Sequence, residues 1–405
     1  MNMDAMPASW QRRMVRFCRR MVQTPSLSGQ EGDIAALIRA EMEHLRYDDV
    51  WVDEVGNVIG AMKGASGPSV MLNCHMDQVD AGDPDEWPYG PFSARVADET
   101  IWGRGASDTK GAIAAQVYAV GLMKAEGRAF PGDTYVTCVV HEETGSWGTQ
   151  FLLGCLKTDV GILGEATANH IAHGHRGRTE VIVHLRGRAA HASVASPETN
   201  PLFALAAFLR RMRSLALPED PTLGPAMLTP TRCYTDQESG NMTPDHARLH
   251  LDWRSLPEDK AAVLPSGGGG AHGLLNELRA VLEESCPSGV TGTVELLVQD
   301  VRSYTGLETS LPASAPSYLL DPHRPPVSSA QEILEEHLAR SVTVAPWGFA
   351  TDGGYMVEAG IPTIGFSPCE QQYAHTIQDQ VRIDLMIEAV RGNMALVAEL
   401  PRRLA

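Results

Sequence analysis

Apolar positions repeat at helical spacing through residues 8–22, a stretch otherwise rich in arginine, and Thr24-Pro25-Ser26 ends the pattern. Ser28-x-x-Glu31 then has the spacing of a capping box ahead of Ile34, Ala35, Leu37, Ile38 and Met42, which predicts a second helix. The period changes at 58–62 and 69–73, short apolar runs bounded by glycine and proline that predict strands. Helical spacing returns over 110–125, in Ile113, Ala114, Val117, Tyr118 and Leu122, while 135–140 and 160–163 read as buried strands. This alternation predicts an α/β fold, a sheet flanked by helices on both faces.

From about residue 178 the strands take on alternating polarity, at 179–185 and 247–253, with an apolar helix over 201–215 between them. A second long helix over 271–285 and a strand over 291–298 follow. A sheet with one face under helices is an α+β unit, so residues 178–300 are expected to interrupt a larger domain made of 1–177 and 301–405. Five prolines between Leu311 and Pro326 predict an irregular connection; a helix over 329–340 and a strand over 361–366 complete the larger domain. Gly267–Gly270 lacks the Gly-Lys-Ser/Thr of a phosphate-binding loop and reads as a turn.

Composition narrows the class. The 405 residues are 43% hydrophobic and 20% charged, with 38 Gly and 26 Pro, which describes a globular chain of two or three domains and neither a disordered nor a fibrous one. Lys and Arg number 33 against 50 Asp and Glu, a net charge of -17 that argues against nucleic acid or an anionic membrane as partner. Seven cysteines without a C-x-x-C pair argue against a disulfide framework and a thiolate zinc knuckle. Arg12, Arg13, Arg16, Arg19 and Arg20 interrupt the early apolar stretch, so no secretory signal is read there. A cytoplasmic location is expected.

In open α/β sheets, ligands gather beyond the carboxyl ends of the strands. Here the run 70–74 leads into His75-Met76-Asp77, 135–140 into His141-Glu142-Glu143, 160–163 into Gly164-Glu165, and 361–366 towards Ala374-His375. Asp108 ends the glycine-rich turn Gly103-Arg104-Gly105-Ala106-Ser107. Singly, each has an ordinary reading: a core histidine, a solvated turn or, for Asp108, an N-cap to the following helix. Together they suit zinc or a related divalent ion at nitrogen and oxygen donors. Three carboxylates also balance two divalent cations that share a hydroxide, and Asp108 is best placed as the bridging one. Of Glu142 and Glu143, one can then bind metal while the other serves as general base. Asp77 suits the carboxylate that orients a ligating imidazole. His141, His170, His173, His184 and His323 read as structural.

Cys74-His75-Met76-Asp77-Gln78-Val79, Gly103-Arg104-Gly105-Ala106-Ser107-Asp108-Thr109-Lys110-Gly111, Glu142-Glu143-Thr144-Gly145, Gly164-Glu165-Ala166-Thr167 and Ala374-His375-Thr376 resemble the ordered motifs of the co-catalytic zinc family. That family includes succinyl-diaminopimelate desuccinylase, acetylornithine deacetylase, aminoacylases and glutamate carboxypeptidases. The resemblance implies two Zn2+ per subunit, one on His75 and Glu165, the other on Glu143 and His375, with Asp108 between them. It implies that Asp77 orients His75 and that Glu142 is the general base; Co2+ or Mn2+ suit the same donors. It also implies a catalytic domain with a mixed, largely parallel sheet, interrupted by a smaller ferredoxin-like α+β lid through which such proteins often form homodimers.

Within that lid, Arg186–Ser193 resembles the segment whose histidine, His191 here, reaches a neighbouring active site and steadies the tetrahedral oxyanion. Gly240-Asn241 and Asp252-Trp253-Arg254 resemble segments that bind a substrate carboxylate; a salt bridge to Asp252 is the alternative for Arg254. Arg176, Asp352, Gly353 and Gly354 are expected along the substrate cleft. The implied activity is hydrolysis of an N-acyl amino acid or related small amide, of deacetylase, desuccinylase or carboxypeptidase type. A dipeptidase or aminopeptidase on the same scaffold is one rival, against which Glu165 counts, since many aminopeptidase relatives carry Asp there. A catalytically silent small-molecule binding homologue is the other, against which an intact Glu142 counts.

Overall fold

A computed structural model describes residues 6–257 and 272–404; the Gly267–Gly270 turn lies outside them. All six residues of the strand Val70–His75 are buried, because this strand lies inside a sheet with helices on both faces. Thr134–Val139 and Val160–Leu163 flank it in parallel, and Thr363–Gly365 extends the parallel set. Val58–Met62 and Asp49–Val52 add antiparallel strands at one edge. Ile171–Ala172 and Val344–Ala345 complete an eight-stranded mixed sheet at the other, so the fold is α/β as the sequence predicts.

The helix Gly111–Ala125 lies between this sheet and the helices Ala8–Val22 and Ile383–Glu399. That position explains why it is apolar on every side: it has no solvent face to keep polar. On the opposite face, Met71, Val139 and Leu163 pack with Leu152, Tyr355 and Met356.

A second, antiparallel sheet has the order Met227–Thr235, His246–Arg254, Arg178–Arg186, Thr291–Leu296. In the chain, helices Pro201–Met212 and His272–Ser285 follow the strands Arg178–Arg186 and His246–Arg254, a ferredoxin-like α+β arrangement. Val181, Val183, Leu249 and Leu251 pack under Leu205, Phe208, Leu278 and Leu282. The strand period of two therefore turns Glu180, His184, His250 and Asp252 to the face without helices.

Two expectations are corrected. The chain over 311–326 is irregular only from 320 onward: Val298–Arg302 and Glu308–Pro312 form a hairpin, Ser314–Ala315 joins Arg178–Thr179, and Tyr318–Leu319 pairs with Gly174–His175. Pro312 ends a strand and Pro316 lies between strands, where no central ladder needs their missing N–H, while Pro322, Pro325 and Pro326 occupy the turn before the helix Val327–Leu338. Nor does Ser28-x-x-Glu31 close a capping box, since the helix Gly32–His44 has no side-chain cap bond at Glu31. Among the described residues no helix is long and apolar enough to cross a membrane.

Candidate metal centre

His75 ends its strand, and its Nδ1–H donates to the backbone carbonyl of Asp77 at 3.0 Å, which leaves Nε2 facing outward as the free donor atom. That Nε2 lies 2.8 Å from Asp108 Oδ1 and 3.5 Å from Glu165 Oε1. His375 Nε2 lies 3.0 Å from both Asp108 Oδ2 and Glu143 Oε1. Asp108 thus turns one oxygen to each imidazole, dividing the cluster into His75 with Glu165 and His375 with Glu143. Glu142 is beside them: donor atoms of His75, Glu142 and Glu165 lie within 4.8 Å of one another, as do those of His75, Asp108 and Glu143.

Local structure explains how these side chains converge. Asp108 does not cap the helix after it, which begins without a side-chain cap. Its turn is fixed instead by Asp379, whose Oδ2 accepts the Gly105 N–H at 2.6 Å and whose Oδ1 accepts the Ser107 N–H at 2.8 Å. Gly164 has to lack a side chain, since a Cβ there would stand 2.1 Å from Cys74 Sγ as the strand delivers Glu165. His141 and His375 hold left-handed backbone with φ of 56° and 60°. Such positions cost about 1–3 kcal/mol each and persist only where surrounding bonds impose them.

Those bonds are visible around Glu142. The Asp77 carboxylate accepts the N–H groups of Glu142 and Glu143, each at 3.1 Å, and the Ser28 hydroxyl at 2.7 Å. Glu31 Oε1 accepts the N–H of His141 at 3.3 Å. Three successive N–H groups of this turn therefore end on two buried carboxylates, and the residues of the expected capping box serve the turn and not the helix. From His75 Nδ1 the Asp77 carboxylate is 3.5 Å away, so it holds the Glu142–Glu143 turn more directly than the imidazole.

The donor set fits a pair of divalent cations. Burial, with neighbouring carboxylates adding to it, pushes Glu165 up to about 8 and raises Glu142 well above the usual carboxylate range. Hydrogen bonds to Asp108 and Glu143 raise His375 to about 10. Burial alone would lower His75, but Asp108 and Asp77 outweigh it and raise it. Acids that hold their protons beside imidazoles that keep theirs mark a site short of positive charge. Oxygen and nitrogen donors without thiolate suit zinc, cobalt or manganese.

The cluster opens into a cleft of about 640 Å³, within the range of small-molecule sites, whose other wall includes Arg178, Glu180, Arg254 and Gln299. Arg254 lines it while also pairing with Asp252 at 2.7 Å, the salt bridge expected as its alternative. Arg178, which sequence reasoning missed, lines the cleft, whereas the expected Arg176 turns away and donates to the Pro225 carbonyl at 2.9 Å. Gly353, also expected there, is buried where a Cβ would meet the Tyr318 hydroxyl at 2.8 Å; packing explains it. Asp352 is buried as well and accepts the Thr149 hydroxyl at 2.6 Å. His191 and Asn241 sit together on exposed loops, joined by the Ala192 N–H to the Asn241 carbonyl at 2.8 Å, and do not line this cleft. Asp379, Ser28 and Glu31 had no local sequence signal of this role.

An α/β sheet whose strand ends converge on a carboxylate–imidazole cluster, with a second sheet across a cleft, is an arrangement suited to metal-assisted hydrolysis. Residues 71–399 match the family model of peptidase family M20/M25/M40, and the chain belongs to that family. It is 29% identical over 373 residues to the uncharacterized protein YgeY of Escherichia coli (strain K12), covering 90% of this chain and 89% of that one. It is 26% identical over 300 residues to succinyl-diaminopimelate desuccinylase of Caulobacter sp. (strain K31), covering 70% and 73%. Aminopeptidase PepT of Bacillus cereus shares the fold, with a TM-score of 0.72 at 18% identity over 96% of this chain and 98% of that one.

Proposed function

We propose that the protein is a two-metal amidohydrolase that cleaves an N-acyl amino acid or a related small amide. The observation that carries this reading is the Asp108 carboxylate, shared between His75 and His375 with Glu142 alongside. In this reading His75 and Glu165 hold one cation, Glu143 and His375 the other, and Asp108 both. Zn2+ is the first choice, with Co2+ and Mn2+ as substitutes. When bound, the pair supplies Lewis-acid polarisation of the amide carbonyl and a water that is acidic near neutrality.

The chain supplies the remaining steps. Asp77 and Glu31 hold the turn that presents Glu142. Glu142 takes a proton from the attacking water and returns it to the departing nitrogen as the C–N bond breaks, which yields a carboxylate and an amine. Arg254 binds the substrate carboxylate. His191, exposed and outside its own chain's cleft, suits a donor to the oxyanion in a second copy, so a homodimer through the lid over 178–300 belongs to the same reading.

The test is zinc-loaded protein assayed on acetyl-amino acid, succinyl-amino acid and dipeptide panels beside Glu142→Gln. Turnover by wild type and a loss of about 10²–10⁴-fold in the variant, at equal metal content, is the expected result. Ligand binding without turnover in both proteins would replace the enzyme with a binding homologue.

A further inference from the structure

The hairpin that follows the last strand of the lid sheet ends against the turn that carries Glu142. Its base is bonded to the lid: the Leu297 N–H donates to the Glu180 carbonyl at 2.9 Å, and the Ala313 N–H to the Leu297 carbonyl at 2.8 Å. From there Val298–Arg302 and Glu308–Pro312 run as a paired ribbon, with Gln299 on the cleft, to a tip that lies on the larger domain. At the tip the Tyr304 hydroxyl donates to the Gly56 carbonyl at 2.9 Å and the Thr305 hydroxyl to the Glu54 carbonyl at 2.7 Å. The Tyr304 ring sits so close that a Cβ on Gly56 would stand 2.2 Å from it.

His141 joins this tip to the turn. Its ring is buried, and its Nε2 lies 3.1 Å from the Arg302 carbonyl; a carbonyl only accepts, so Nε2 carries the proton. The neutral ring leaves Nδ1 to accept the Thr144 hydroxyl at 2.7 Å. Gly29 makes room for this approach, since a Cβ there would stand 2.7 Å from the Arg302 carbonyl oxygen. One imidazole therefore bonds the hairpin on one side and the residue after Glu143 on the other, while its own left-handed backbone leads directly into Glu142. His141 neither lines the cleft nor belongs to the metal cluster, so any effect it has on chemistry passes through its neighbours.

We infer that the hairpin over 298–312 is a strap that ties the lid to the general-base turn, with His141 as the positioning residue through which it fixes Glu142. This rests on the amidohydrolase reading, in which Glu142 moves the proton. Asp77 and Glu31 hold the turn by its backbone N–H groups; the strap holds it through a side chain, from a segment bonded to the lid.

The experiment compares variants of the zinc-loaded protein at equal metal content. His141→Gln carries an amide N–H that can take the place of Nε2 and keep the Arg302 bond. His141→Asn keeps an acceptor for Thr144 and tolerates the left-handed backbone, but is too short to reach the hairpin. Tyr304→Phe removes the tip's bond to Gly56 and leaves the ring. In His141→Asn, kcat on the best panel substrate is expected to fall about 5- to 50-fold, the range for a lost buried hydrogen bond and its stranded partner, with KM changed less than about twofold. His141→Gln should recover most of that loss. Tyr304→Phe should lower kcat about 2- to 5-fold, and the double variant His141→Asn/Tyr304→Phe no further than His141→Asn alone, because both act along one path. Added to Glu142→Gln, His141→Asn should leave the residual rate within about twofold, since the group it positions is already gone.

Amide hydrogen exchange over 141–146, followed by mass spectrometry, reads the same turn without turnover. It should quicken about fivefold or more in His141→Asn, while Val70–His75 and Thr134–Val139 keep wild-type rates. Wild-type exchange of the turn in His141→Asn, a wild-type kcat in that variant, or an equal loss of rate with and without Glu142 overturns the strap. Absence of wild-type turnover on every panel member, with the turn exchanging faster in His141→Asn, instead overturns the enzymatic reading and leaves the strap standing.

Discussion

Asp77→Asn exchanges one oxygen for an amide nitrogen with almost no change of shape, so it removes an acceptor and the negative charge while leaving the packing in place. The two oxygens of Asp77 receive the N–H groups of Glu142 and Glu143 and the hydroxyl of Ser28. An asparagine has one acceptor oxygen, so in either orientation a backbone N–H of that turn meets an NH₂ group. A hydrogen bond to a charged group contributes about 1.5–3 kcal/mol and a stranded buried donor costs about 1–3 kcal/mol. These overlap, and about 3 kcal/mol is expected to fall on the turn as a whole. Part appears as lower global stability and part as loss of placement for Glu142 and Glu143. Lost support of a metal ligand typically costs about 10–100-fold in metal affinity.

Ser28→Ala removes only the hydroxyl bond to that carboxylate, worth about 1.5 kcal/mol at the low end of the range for a charged acceptor, and is the graded control. Metal affinity is measured by competition with a chromophoric chelator, stability by urea midpoint and catalysis by kcat on the best panel substrate. All three should decline from wild type through Ser28→Ala to Asp77→Asn. If Asp77→Asn binds metal as tightly as wild type and turns over as fast, the turn is not held in this way and the reasoning fails.

Two further outcomes concern the scaffold. Burial lowers His175 from 6.5 to about 4, and the fold holds the neutral ring, with Nδ1–H donating to the Arg176 carbonyl and Nε2 receiving Thr351. The unfolded chain then binds more protons between these values, so stability should fall as pH drops through that window, by up to about 3 kcal/mol. Urea midpoints should fall less steeply with acid in His175→Gln, and an equal slope would assign the effect elsewhere. Gly164→Ala drives a Cβ into Cys74 Sγ and should cost about 1–3 kcal/mol by overpacking. Thermal melts should show partial recovery in Gly164→Ala/Cys74→Ala; no recovery would locate the strain somewhere other than that sulfur.

The α/β alternation was readable because buried strands and sandwiched helices must be apolar with distinct periods. The helix Ile383–Glu399 and the exposed edge strand Met227–Thr235 were not read, although both are long elements. Burial in that strand follows no period of two, and among its residues only Leu228 is even half-buried, so the pattern that reveals a strand is absent. The prolines of 311–326 mark strand ends as readily as loops, and only the pairing of neighbouring chain decides between them.

By itself the sequence determined where polar chemistry can stand. Strands buried on both faces tolerate imidazoles and carboxylates only at their ends, so His75, Glu142, Glu143 and Glu165 announced themselves by position. The fold alone decided what those groups lean on. Ser28 meets Asp77 across 49 residues and Asp379 meets Gly105 across 274, separations at which no periodicity links the partners. It also decided between two arginines two residues apart: Arg178 opens a strand, bonds Asp252 of the neighbouring strand and faces the cleft, while Arg176 lies before that strand and bonds a carbonyl outside the cleft. A side chain's direction is set by its place in a paired strand, and that pairing is a property of the folded chain.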